Sequence, residues 1–377
     1  MYKLCILLLT FILGFFPVSG MSSDHADPQW LDPDQAEANI TGLFFFPDGD
    51  QMIAILDVRR SLTANPPYNL EPYEYTIYMD LDSKVTFDNP EDLARYGGTI
   101  GNPETIAAEV SLSFQLNNDT TLKSKDFKGL TNPNDIRVYT GVRDDPFIFP
   151  RFFKVNVITM AVSIPKSSFP STQGNWLLWA TAKELKSGEQ IDHVGRSNRT
   201  QLGRFDILNT VPPHKHVETL REAEKTRTKI QKFFMDCLPP LANLNQLSGL
   251  LLRHYDFVPD VMIYSEHLPS GFPNGRRLAD DVALLTCQQG DCPLQENAFI
   301  DTKQWPRQTV NDKPLFDTFP YLADPWPSRP ATPPGSCWPY ILKYVVPVLV
   351  ILVLLIGFTL RCCCKHRGRS VYSRTGS

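Results

Sequence analysis

The 377-residue chain carries none of the short signatures that mark common enzyme chemistries. It has no H-E-x-x-H, no G-x-S-x-G, no phosphate-binding glycine loop, no G-x-G-x-x-G and no C-x-x-C. Nothing positive in the sequence marks an enzyme, and no cofactor is named by it. Basic charge is also scarce where most of the chain lies. Of 37 Lys and Arg, seven stand near the two ends: Lys3, Lys343, Arg361, Lys365, Arg367, Arg369 and Arg374. The other 30 face all 41 acidic residues within 21–339, which leaves that region at a net charge of −11. A surface of that sign is wrong for phosphate backbones, so nucleic acid is not an expected partner. It is compatible with cation binding, and solubility alone explains it as well.

What is present first sorts the chain by compartment. Residues 340–360, YILKYVVPVLVILVLLIGFTL, hold one charge, Lys343, near their start. As a helix rising ~1.5 Å per residue they span ~31 Å, close to a bilayer's hydrocarbon core. Trp338, Tyr340 and Tyr344 stand at one end and the basic tail 361–377 at the other, which orients the carboxyl end to the cytoplasm. At the start, Lys3 precedes an apolar run over 4–16, and Val18-Ser19-Gly20 offers small residues for cleavage. That pattern predicts a secretory signal over 1–20. The expectation is a single-pass type I membrane protein, its bulk extracytoplasmic. Residues 21–312 form the outer domain and 313–339 a proline-rich stalk.

The cysteines follow the same division. Cys5 leaves with the signal, and Cys237, Cys287, Cys292 and Cys337 fall on the oxidising side. Four cysteines allow three pairings. The short loop CQQGDC favours Cys287 with Cys292, leaving Cys237 with Cys337; free buried thiols are the competing reading. Cys362, Cys363 and Cys364 lie beside basic residues just inside the span, a setting that suits palmitoylation; without it they are reduced thiols. Asn39, Asn118 and Asn198 each begin an N-x-[ST] sequon. Chance alone gives roughly two, so the three do not establish glycosylation.

The chain pattern predicts a mainly β fold, an antiparallel β-sandwich. Residues 40–60 read as a hairpin around Pro47-Asp48-Gly49-Asp50. Alternation over 73–81 and over 106–116 predicts half-buried strands. Further strands are expected at 135–142, 154–164 and 176–182, and a short one at 258–264, while 83–105 reads as a loop. Between 214 and 256 apolar residues approach helical spacing, which predicts a helical insertion of two helices split by Leu238-Pro239-Pro240.

Several phrases together resemble the domain-of-unknown-function family numbered 4331, a group of secreted, mostly bacterial proteins. They are Ser22-Ser23-Asp24-His25-Ala26-Asp27-Pro28, where Asp24 interrupts the family's Ser-Ser-His, and Phe44-Phe45-Phe46-Pro47-Asp48-Gly49. Gly141-Val142-Arg143-Asp144-Asp145-Pro146-Phe147 is a third. The most specific is Gly271-Phe272-Pro273-Asn274-Gly275-Arg276-Arg277-Leu278-Ala279-Asp280-Asp281-Val282, preceded by Val258-Pro259-Asp260-Val261. Phe319-Pro320-Tyr321-Leu322-Ala323 resembles the family's closing phrase. The resemblance covers about 22–325 and implies a shared fold, but the family supplies no activity. Many members carry Asp-x-Asp-Gly-Asp after the strand corresponding to 73–81; here the turn is Asp80-Leu81-Asp82-Ser83-Lys84.

Two charged constellations are the candidate ligand site: Arg143, Asp144 and Asp145, and Asn274, Arg276, Arg277, Asp280 and Asp281. Paired carboxylates hold hard cations or do acid–base work, and guanidinium groups grip carboxylates and phosphates. The competing reading is structural, because Asp-Asp-Pro and Asn-Gly are turn chemistry that neighbouring Arg and Asp pin down. His25 makes a square-planar copper or nickel site if the mature chain begins at Ser23; cleavage after Gly20 removes it. His214-x-His216-x-Glu218 places three metal-capable groups on one face of an extended segment, against the reading of an exposed linker. Asp80, Asp82, Asp88 and Asp92 offer oxygen ligands, though not at the spacing of a known calcium loop. Three functions follow. The first is a membrane-anchored β domain that binds a glycan, a small anion or a protein, with Trp326 or Tyr68 as candidate contact aromatics. The second is a metal-dependent hydrolase or oxidoreductase using Asp144/Asp145 and Asp280/Asp281. The third is a purely structural surface protein.

Overall fold

The computed structural model describes residues 33–62, 65–170, 174–199, 205–237, 256–289 and 307–328. All of them belong to one compact unit, Ser19–Arg329. They are mainly antiparallel β sheet with few helices, and two sheets share one apolar core, an arrangement consistent with a β-sandwich.

The first sheet runs β1 (Ile40–Asp48), β2 (Gln51–Leu62), β9 (Asn156–Pro165), β8 (Arg137–Asp144). Its hairpin closes where Asp48 pairs with Gln51, leaving Gly49 and Asp50 as the turn. Gly49 sits at φ +60°, the left-handed conformation a two-residue hairpin turn needs at its first central position. The second sheet runs β11 (Gln190–Val194), β10 (Asn175–Glu184), β3 (Tyr73–Asp80), β6 (Val110–Leu116), β7 (Leu122–Lys128). Strand β12 (Met262–Ser265) pairs with the opening residues of β10. A small ribbon of β4 (Val85–Thr86) and β5 (Thr99–Ile100) flanks helix α1 (Pro90–Tyr96). Asn89 caps α1 by accepting the Glu91 and Asp92 N–H groups, which its first turn would otherwise leave without partners.

Strand β6 shows why the core forms. Val110, Leu112, Phe114 and Leu116 are buried while Ser111, Ser113 and Gln115 are half-buried between them. Each buried leucine removes enough apolar surface to contribute about 2 kcal/mol. Facing them across the core lie Met52, Ala54 and Leu56 of β2 and Ile158, Met160 and Val162 of β9.

Both sheets are also covered on parts of their outer faces. Phe44, Ile53, Ile55 and Ala161 of the first sheet pack under Leu278, Tyr321 and Leu322. Leu177 and Trp179 of the second pack under Val85, Tyr96, Ile106, Val261 and Ile263. The first cover changes the reading of 313–328. Composition assigns that stretch to an extended stalk, yet Tyr321, Leu322 and Ala323 are buried against the sheet. Aromatic and apolar residues there meet an apolar sheet face, and burial outweighs extension in water.

Helix α2 (His216–Cys237) opens the expected helical stretch; its continuation over 241–255 lies outside the described residues. Helix α3 (Val282–Gln288) is capped by Asp281. Cys287 on α3 is disulfide-bonded. His25, Cys292, Cys337, Cys362, Cys363, Cys364 and the apolar run 340–360 lie outside the described residues. Among the described residues no helix is long and apolar enough to cross a membrane.

Candidate functional site

The two charged segments do meet, through their apolar neighbours. Phe147, Phe149 and Phe152 from the first pack against Val282 and Ala283 from the second, with Phe272 at the side. Arg276 joins them. It is 1% exposed, and its guanidinium lies 4.0 Å from the ring centre of Phe44 and 5.8 Å from that of Phe147. Its backbone exchanges two hydrogen bonds with Phe45, extending the edge of β1 by one residue.

The carboxylates of this junction are occupied by donors of the fold itself. Asp281 Oδ1 accepts the Leu284 N–H at 3.0 Å and pairs with Arg307 Nη2 at 2.6 Å. Arg307 also donates to the Ile148 carbonyl at 3.2 Å, which ties α3 to the 147–152 segment. Asp280 Oδ2 accepts the N–H groups of Phe272 and Arg277, closing the turn between them. Asp145 Oδ1 accepts the Phe147 N–H at 3.0 Å. Asn274 accepts from Ser265 N–H and donates to the carbonyls of Ser265, Leu268 and Pro269. Arg143 reaches Asp324 at 2.6 Å and stacks on Tyr139. Asp144 accepts Trp326 Nε1–H at 2.5 Å and Asn311 Nδ2–H at 2.8 Å. Of the eight residues proposed from sequence, only the Arg277 guanidinium stands exposed, within 3.5 Å of Ser270 Oγ. Each Asp144 oxygen takes one N–H.

Sequence pattern passes over a second polar group on the outer side of β11. Asp192, His193, His216 and Asp260 are fully buried. His193 Nε2 lies 2.8 Å from the Asp260 carbonyl, and His216 Nδ1 accepts the Asp260 N–H at 3.0 Å. The other His216 nitrogen donates to the Val211 carbonyl. Two ionisable residues inside a strand pattern, Asp192-His193, are the signal that marks it. Gly195 is required here, since a Cβ would stand 2.1 Å from the Asp260 carbonyl oxygen. Arg199 fixes the neighbouring loops, donating to the carbonyls of Asp256 and Val258.

Burial holds His216 well below the ordinary histidine value, and the neighbouring His193 adds to it. The unfolded chain therefore binds protons first as pH falls, so the stability His216 brings is present above about 6.5 and is lost below it. His216→Gln keeps one donor and one acceptor but does not titrate. The urea midpoint of this variant is expected to fall less between pH 7 and pH 5 than that of the parent. Equal falls would show that His216 does not charge on unfolding.

The other candidate ligands separate or are occupied. His214 and Glu218 are exposed while His216 is buried, so the three do not share a face. The helical turn beginning at Pro213 rotates them apart. Asp80, Asp82 and Glu109 bring one oxygen each within 4.8 Å of one another. Buried Asp80, however, already accepts from Asp82, Ser83 and Ala107, and Glu109 accepts the Leu81 N–H. Desolvation, and then the charges of Asp80 and Asp82, push the Glu109 carboxyl up. Asp92 accepts from Thr99, and Asp88 is exposed. Tyr68 belongs to the core and Trp326 is fastened by its indole, so neither is a free contact aromatic. Asn39 and Asn198 are only 2% and 8% exposed, and a glycan on either would have to displace the packing around it. Asn118 spends its side-chain oxygen on the N–H groups of Leu70 and Glu71.

No family model matches the chain, and neither does any curated protein. The resemblance to family 4331 rests on the quoted phrases alone.

Proposed function

We propose that this chain is a single-pass membrane protein whose extracytoplasmic β-sandwich binds a ligand or a protein partner, without catalysing a reaction. One observation carries the choice of binding over catalysis. Asp144, Asp145, Asp280 and Asp281, the carboxylates an enzyme would use, each accept N–H groups that hold the fold together. A general base or metal ligand must also reach substrate or ion, and Asp144, Asp145 and Asp281 are buried. The membrane placement rests on the apolar run 340–360 and the basic tail behind it.

The surface best suited to a ligand is the outer face of β3, β6 and β7. Cross-strand register sets Tyr78, Ser111 and Lys128 in one row and Ser113 and Asp126 in the next, where Thr76 is buried. Tyr78 stacks on Trp179 on one side, and on the other its neighbour is only a serine. An aromatic ring beside hydroxyl, carboxylate and ammonium groups suits a sugar or a polar peptide.

Three measurements test the reading. An impermeant protease applied to intact cells is expected to remove the bulk of the chain and spare the tail; a protected bulk overturns the topology. Purified full-length protein is expected to carry no stoichiometric metal. One metal per chain, lost in Asp145→Ala, would instead support the hydrolase. Screening against arrayed glycans and cell-surface proteins should give a ligand whose binding is lost in Ser111→Arg. Failure of every probe would leave a structural surface protein.

A further inference from the structure

Segment 311–326 is fastened at both ends to one carboxylate. Asp144 is the last residue of β8, it is 1% exposed, and its cross-strand partner is Asn156 of β9. Asn311 donates to Oδ2 and the Trp326 indole to Oδ1. Asn156 completes the clasp. It donates to the Trp326 carbonyl at 2.9 Å and accepts the Trp326 N–H at 2.8 Å. The Asp144 N–H reaches the Ala323 carbonyl at 3.3 Å. A segment of 16 residues thus closes on the end of a single hairpin.

The charged groups around Asp144 do not neutralise it. Arg143, beside it, turns to Asp324 and the Tyr139 ring. The Lys313 ammonium donates to the carbonyls of Asp324 and Pro325 and lies over the Trp326 ring. Asp145 accepts the Phe147 N–H. Asp312 is a second carboxylate facing the same place, and it accepts the Lys154 N–H at 2.6 Å. The Asp144 charge is therefore buried beside a like charge, and desolvation favours the protonated form by more than its two N–H donors and the Lys313 charge oppose it.

We propose that segment 311–326 is a latch whose docking is coupled to uptake of one proton by Asp144, so that acid tightens it and neutral pH loosens it. The sign follows from linkage. Undocked, Asp144 returns to water and to an ordinary value near 3.9. Docked, desolvation pushes it up to about 6, with Asp312 adding to the rise. Burial also raises Asp312, so a second carboxyl contributes in the same direction. Between the two values the docked form holds the proton that the undocked form has released. Docking weakens as pH rises through that window and levels off above it.

Hydrogen exchange on the full-length chain in detergent tests this, with rates corrected for the intrinsic effect of pH. Protection over 311–326 is expected to be about tenfold greater at pH 5 than at pH 7.5. Asp144→Asn should abolish most of that dependence and Asp312→Asn should reduce it. Equal protection at both pH values in the parent, or an unchanged dependence in Asp144→Asn, overturns the proposal. Should that variant fail to fold, carboxyl carbon resonances of the parent supply the second measurement. An Asp144 midpoint near 6 supports the latch, and one below 4.5 overturns it.

Discussion

Replacing Arg276 by alanine is expected to cost the fold about 4 kcal/mol, read as a lowered urea midpoint with an unchanged slope. The reason is its position between two apolar clusters. Phe44 belongs to the cover on the first sheet and Phe147 to the cluster beside α3, and the Arg276 guanidinium lies 4.0 Å from the first ring centre and 5.8 Å from the second. Truncation opens a cavity the size of the longest side chain in that layer and removes two desolvated cation–π contacts. Lysine does not restore the parent, because an ammonium is a point charge that cannot lie flat on a ring. Methionine should recover part of the loss by refilling the volume. If Arg276→Ala changes the midpoint by less than the equivalent of 1 kcal/mol, the stacked guanidinium is not a support.

Asp281→Ala is the second large effect, expected at about 3–4 kcal/mol. Two losses add. The first is the cap on α3, where Oδ1 takes the Leu284 N–H. The second is the partner of Arg307, whose side chain is 2% exposed while that of Asp281 is 9% exposed. Removing the carboxylate strands a buried cation, and that cost exceeds the worth of the pair itself. The double variant Asp281→Ala with Arg307→Met should therefore be less damaged than Asp281→Ala alone. A double variant as unstable as the sum of its singles would show that the two groups do not interact.

Legibility in sequence tracked how many faces of a strand are covered. Strand β6 alternates because one side meets the core and the other meets less, and its residues from Val110 on fall as expected. The two residues before them, Ile106 and Ala108, share the alternation but precede the strand, because Asp80 captures the Ala107 N–H and ends the ladder there. Strand β9 is buried along nearly its whole length, so it reads as an apolar run without a period. Edge strand β7 is mostly exposed and carries Lys123, Lys125 and Lys128, a pattern that blunts an edge and also hides the strand from any apolar count. The charged phrases were visible as phrases. Whether Asp144, Asp280 and Asp281 face a ligand or hold a turn depends on which N–H groups the folded chain brings to them, and spacing along the chain does not encode that.

The amino-acid order alone settled the excess of strand over helix, the hairpin at Gly49 and the division of charge between the body of the chain and its basic end. Those are local matters: alternation, turn stereochemistry and composition act over a few residues. The packing of 315–323 onto a sheet more than a hundred residues earlier, the enclosure of Arg276 by two phenyl rings and the convergence of Asn311 and Trp326 on Asp144 were decided only in three dimensions. Each joins distant residues through desolvation, and a group's solvent is set by what folds over it, not by its neighbours in sequence.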